Sequence, residues 1–219
     1  MTRLDIQNLI ASWLDDEQKT YFTSTVVNRW INLAQRQVQQ KLLQAGQNYY
    51  VVPVETTTVA NQKDYVLPTD FMQMNRLELV LDGTGVDETI QKIEEITLNE
   101  KDFFANRTGP PGAYFIKKDR ITLLPVPDQA YTLRLFYSPI VTDLTGDSQS
   151  PDIPEQFMEY LAILACYDGF IKDDRGPENL ERKRVVYEEL LKNMANDRTM
   201  DRAREVVVRE SYDSSGYIY

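Results

Sequence analysis

Leu42-Leu43-Gln44-Ala45-Gly46-Gln47-Asn48-Tyr49-Tyr50-Val51-Val52-Pro53-Val54-Glu55-Thr56-Thr57-Thr58 is where the chain changes its hydrophobic period. Upstream, Val27, Trp30, Ile31, Ala34, Val38 and Leu42 recur at the spacing of a helical stripe, and Gly46 supplies a stop. Downstream, the run of Tyr, Val and Thr is β-forming, so a strand is predicted over 49–58. Helix on one side and strand on the other put the chain in the α+β class.

Working back from that junction, the second helix begins near Thr23 or Ser24. A first helix is predicted over 3–16, opened by Thr2 as N-cap, with Ile6, Leu9, Ile10, Trp13 and Leu14 on its apolar face. The two make a helical hairpin.

Working forward, short strands are predicted over 65–67, 74–81, 90–93, 113–116, 120–124 and 131–137. A short helix over 97–106 is capped by Thr97 with Glu100 at the reciprocal position. Turns at 61–64, 82–85, 117–119 and 125–128 separate them and predict a small, mostly antiparallel β unit. A third helix follows, with Pro154 at its first position and Phe157, Tyr160, Leu161, Leu164, Ala165 and Tyr167 continuing to about 172. It is apolar on more than one side, as a central helix would be. Gly176-Pro177 breaks it. A last helix runs from 178 to about 204, with Leu180, Tyr187 and Met194 seven apart, Leu190 and Leu191 beside them, and Glu178–Arg182 and Glu188–Lys192 as supporting pairs.

The expected architecture is therefore a helical bundle, two N-terminal and two C-terminal helices, with an inserted β domain and an extended C-terminal tail. The expected boundaries are 1–48, 49–145, 146–205 and 206–219.

Composition narrows the function. The chain of 219 residues has no histidine and one cysteine, Cys166, which lies in an apolar helical run and reads as a small buried hydrophobe. Without histidine, the commonest general base, every Ser-His or Cys-His pairing and histidine metal ligation are gone. The formal net charge of −10 opposes a grip on nucleic acid through phosphates. No stretch reaches the roughly 20 apolar residues that span a bilayer, and the opening residues carry acids within an amphipathic pattern, so a soluble chain without a signal peptide is expected.

No phosphate loop, dinucleotide fingerprint or nucleophile elbow is present. Asp82-Gly83-Thr84-Gly85-Val86-Asp87-Glu88 lacks the spacing of a calcium loop and reads as a turn. Asp15-Asp16-Glu17 and Asp173-Asp174 sit at helix ends, where carboxylates oppose the helix dipole; a solvated turn is the plain reading and a metal site the sharper one. The expectation is no enzyme, no cofactor and no metal.

Beyond Met194 the apolar stripe of the last helix fades, and the chain ends in a mixture of β-branched and aromatic residues with flexible small ones. Val206, Val207, Val208, Tyr212, Tyr217, Ile218 and Tyr219 suit a disordered tail or, more sharply, a docking strand that seats alternate side chains on a partner.

Several phrases in order resemble one family: Asp64-Tyr65-Val66-Leu67-Pro68-Thr69-Asp70-Phe71, Arg76-Leu77, Tyr114-Phe115-Ile116, Arg120-Ile121-Thr122-Leu123-Leu124-Pro125-Val126-Pro127, Leu133-Arg134-Leu135-Phe136-Tyr137 and Ile153-Pro154-Glu155-Gln156-Phe157. Together they resemble the head-to-tail adaptor proteins of tailed bacteriophages, of the podovirus-like type. The resemblance implies a virion protein of the neck, made in the host cytoplasm. It would form a ring, commonly twelve-fold, between the portal and the tail or nozzle proteins, with DNA passing through its channel without specific binding and with no membrane contact. It also implies that 206–219 reaches the portal. The β region is larger than in the simplest connectors.

Other readings remain open at this level: another neck or tail component, a ligand-binding module built on Tyr114, Phe115, Phe136 and Tyr137, or a hydrolase using two converging carboxylates. Exposed rings around a concavity would mark the module, and two acids with raised pKa values would mark the hydrolase.

Overall fold

The computed structural model describes residues 1–46, 48–83, 87–104, 107–173, 176, 178 and 180–194. The chain divides into two compact units, one from Met1–Tyr49 with the described residues after Ile140, the other Tyr50–Ile140. The architecture is α+β.

The first unit is helical: α1 (Arg3–Trp13), α2 (Ser24–Gln44), α3 (Met158–Lys172) and α4 (180–194). Thr2 caps α1 reciprocally with Asp5. The Asp5 N–H donates to the Thr2 hydroxyl oxygen at 3.2 Å, and the Thr2 N–H donates to the Asp5 carboxylate at 2.8 Å. The helix stops three residues before the predicted end because Asp15 turns to φ +57°, a left-handed conformation that ends the helical ladder. Gly46 at φ +72° ends α2 as expected. Pro154 is not the first helical residue. It precedes a 3-10 turn, Glu155–Phe157, whose last residue leads into α3.

Contacts run between α1 and α2, α1 and α3, and α2 and α3. Ile6, Ile10 and Leu14 of α1, Val27, Ile31, Val38 and Leu42 of α2, and Phe157, Tyr160 and Leu161 at and within α3 form the buried interior. Cys166 is buried with them. Gly169 of α3 is the point of closest approach: a Cβ there would lie 2.7 Å from Cδ1 of Leu14 and 3.3 Å from Cζ3 of Trp30. The segment after Ile140 is tied to this unit by polar bonds. The Arg3 guanidinium, almost wholly buried, donates to the Leu144 carbonyl at 2.7 Å and to Asp147 at 2.6 Å. Gln35 donates to the Thr142 carbonyl at 2.9 Å.

The second unit contains one seven-stranded mixed sheet: β1 (Val52–Thr57), β2 (Asp64–Val66), β3 (Phe71–Asp82), β4 (Thr89–Glu95), β5 (Ala113–Lys117), β6 (Arg120–Leu124) and β7 (Thr132–Pro139), in the order β1-β7-β3-β4-β5-β6-β2. Neighbours pair antiparallel except β4 and β5, which are parallel where Glu94 and Glu95 face Ala113 and Tyr114. Alternation puts Leu77 and Leu79, Ile121 and Leu123, and Leu133 and Leu135 into one core with Tyr65, Ile93 and Tyr114. Every strand except β1, whose residues are all exposed, contributes to that core. The predicted helix over 97–106 is a 3-10 helix, Leu98–Phe104, with no buried residue. With none of Leu98–Phe104 buried, little packing favours the α form there.

Candidate functional site

The proposed docking residues Val206, Val207, Val208, Tyr212, Tyr217, Ile218 and Tyr219 lie outside the described residues. The described element that leads toward them is α4, and polar contacts do much to fasten it to the helical unit. Of its side chains, Leu180 and Leu191 are buried, whereas Val185, Val186 and Leu190 are exposed. Leu190 therefore points away from the face it was expected to join.

What holds α4 is a chain of charges and phenols. Lys41 of α2 donates to Glu188 at 3.1 Å, and Arg184 donates to Glu188 at 3.3 Å and to Glu181 at 2.6 Å. Lys183 donates to Glu159 of α3 at 2.6 Å, and the Tyr187 hydroxyl donates to the same carboxylate at 2.8 Å. The Tyr167 hydroxyl bonds Glu181. The Tyr160 and Tyr187 rings stack with centroids 5.3 Å apart, and the Arg184 guanidinium lies 5.4 Å from the centre of the Tyr167 ring. Sequence spacing suggested a Glu188–Lys192 pair, but the fold supplies Lys41 and Arg184 to Glu188 instead. The network was hidden because four of its members, Lys41, Glu159, Tyr160 and Tyr167, come from other helices.

These contacts shift titration in a consistent direction. Lys183 and Tyr187 hold Glu159 below its ordinary value, and Arg184 and Tyr167 hold Glu181 below its own. Glu188 is pulled up by burial, yet Lys41 and Arg184 outweigh that and lower it. Burial, with Glu181 and Glu159 respectively, pushes the phenols of Tyr167 and Tyr187 up to about 12.

Both signs predict a plateau. The lowered carboxylates contribute stability present above their unfolded values, about 4, and lost as pH falls through the lower folded ones. The raised phenols contribute stability present below about 10 and lost as pH rises toward 12. With no histidine in the chain, stability followed by urea unfolding is expected to be nearly flat from about pH 6 to 9 and to fall on both sides. A step near pH 6.5 would contradict this account.

Of the acidic helix ends, the one at Asp16 is taken up by its own loop. The Asp16 carboxylate accepts from the Thr20 N–H and hydroxyl, the Tyr21 N–H at 3.0 Å and the Phe22 N–H at 2.7 Å. It closes the loop between α1 and α2, and those donors lower its pKa. Among the described residues no cluster of three or more metal-ligating side chains forms. Asp174 and residues 84–86 lie outside the described set. Asp168 is raised, by burial alone, with no neighbouring carboxylate contributing.

In the β unit, Tyr114 and Tyr137 are buried, the Tyr137 hydroxyl donates to Asp70 at 3.1 Å, and Phe115 and Phe136 are half-buried. Arg134 is held by two carboxylates. Its guanidinium donates to Glu55 at 2.7 Å and to Glu88 at 3.2 Å, across the sheet.

Compared with known proteins, residues 1–211 match the family model described as SU10 adaptor protein. The chain belongs to the SU10 adaptor protein family. No curated protein matches it. The family match spans both compact units and reaches into the C-terminal segment. It agrees with the resemblance to bacteriophage head-to-tail adaptors read from the sequence, and SU10 adaptor membership makes a structural virion role the frame for these surfaces. No helix among the described residues is long and apolar enough to cross a membrane.

Proposed function

We propose that this chain is a non-enzymatic ring subunit, repeated around the axis of a virion neck, that joins the portal to the tail and extends the DNA channel. The observation that carries the reading is the family match over 1–211. In this reading the helical segments 1–48 and 146–205 form a bundle, the β domain over 49–145 is inserted between its second and third helices, and 206–219 is the portal-docking strand. The ring is twelve-fold, tail or nozzle proteins meet its other side, and DNA slides through unbound. A chain of net charge −10 suits such a passage because it does not attract phosphates.

Two features support a partner-dependent C-terminal region. The helix α4 leaves Val185, Val186 and Leu190 in solvent. The segment after it carries alternating apolar and aromatic residues.

The test mixes the purified full chain with purified portal rings and images the product by electron microscopy, alongside a chain truncated after Glu205. A second ring stacked on the portal by the full chain, and lost on truncation, is the expected result. A second ring from both proteins would remove the docking role of 206–219. No second ring from either would remove the adaptor position itself.

A further inference from the structure

The β unit carries a surface unlike the rest of this acidic chain. Lys63, Lys101, Lys117, Lys118 and Arg120 line one open cavity of about 390 Å³. They arrive from three places: the turn before β2, the exposed 3-10 helix, and the β5–β6 turn, where Lys118 sits at φ +58°. All five are exposed, and none has an ion pair with another described residue. The two acids in the same cavity are Asp64, whose carboxylate accepts from the Thr122 hydroxyl at 2.6 Å, and Asp119. Several cations elsewhere are held by carboxylates, among them Arg3, Arg36, Lys41, Arg134 and Arg184.

The rim is apolar. Val66 pairs with Arg120 on the edge strand and is 65% exposed. Leu98 lines the cavity, Phe103 on the same 3-10 helix is 73% exposed, and Phe115 is half-buried within the lining.

Five cations against two carboxylates leave this cavity with three positive charges in excess. With a chain net charge of −10, the remainder then carries a net charge of about −13. Copies brought side by side repel unless their contact sets opposite charges against each other. A head-to-tail contact between identical subunits uses two different patches, so one basic face and one acidic face suffice. A phosphodiester backbone would use the cations but not Val66, Leu98 and Phe103. A subunit contact uses both, the cations pairing with carboxylates of the facing copy and the exposed apolar side chains leaving water.

We propose that this basic cavity and its apolar rim form the contact that takes a carboxylate-bearing face of a second copy of the chain. The inference rests on the ring reading above and names the surface that closes the ring.

The test compares the full chain with the triple variant Lys117→Glu, Lys118→Glu, Arg120→Glu, after circular dichroism has shown the same fold. Sedimentation velocity measures self-association at low salt and in about 0.5 M salt, and electron microscopy scores rings on portal. The wild type is expected to self-associate less in high salt, and the variant to lose about 30-fold or more in association constant. Because the variant keeps its acidic face, mixing it with wild type should cap growing arcs and lower ring yield out of proportion to its share. Wild-type association and ring yield by the variant overturn the proposal and leave the ring reading intact. Loss of duplex-DNA binding by the variant, with self-association unchanged, also overturns it, in favour of a phosphate site. If the wild type itself forms no ring, with or without portal, the ring reading falls and this contact falls with it.

Discussion

Replacing Phe157 with alanine is expected to destabilise the helical unit by about 3–5 kcal/mol, the range for removing a fully enclosed phenylalanine. Phe157 is 0% exposed and among the largest fully buried side chains, at the junction where the 3-10 turn becomes α3. Its loss leaves a cavity beneath the start of a helix that packs on both α1 and α2, so little can collapse to fill it. Such a loss would consume a large share of the roughly 5–15 kcal/mol by which a domain is ordinarily stable. The readout is direct, because both tryptophans of the chain, Trp13 and Trp30, belong to this unit. Urea unfolding followed by tryptophan emission should show the midpoint fall. Phe157→Leu, which keeps most of the volume, should cost about 1.5 kcal/mol or less. A loss under about 1 kcal/mol for the alanine would mean that the site is not enclosed.

Gly169→Val is expected to cost about 3 kcal/mol through overpacking. A glycine inside a helix is ordinarily worse than alanine by about 1 kcal/mol, so on propensity alone any side chain here would help. The neighbours reverse that sign. A Cβ would meet Leu14 at 2.7 and 3.1 Å and Trp30 at 3.3 Å, and Leu14 and Trp30 are themselves buried. The extra methyls of valine drive α3 away from α1 and α2. Thermal unfolding by tryptophan emission checks the loss, and Trp30 should also report a changed environment in the folded state. Gly169→Ala separates the two effects. If it stabilises the protein by about the propensity difference, the close approach is not the controlling contact.

Much of the local structure was legible because its causes are local. Thr2 caps the residue three ahead of it, Gly46 turns left-handed at the end of its own helix, and the alternation in 131–137 follows from the pleat. The stripe from Val27 to Leu42 needs only the helical period to be seen. The Asp16 carboxylate shows the limit. Its neighbours in sequence made it an unfavourable acid at a helix end, yet the turn it caps brings four donors onto it.

By itself, then, the sequence determined the class, the order of nearly every element and the family phrases, since helical and strand periods and turn residues are short-range properties. Tertiary structure alone decided the parallel join of β4 to β5, the assignment of Glu188 to Lys41, the need for glycine at 169 and the gathering of five cations around one cavity. Each depends on groups from separate elements meeting in space. Lys63 and Arg120 carry no mark of each other until β2 pairs with β6, because charge and volume act through distance in the fold, not along the chain.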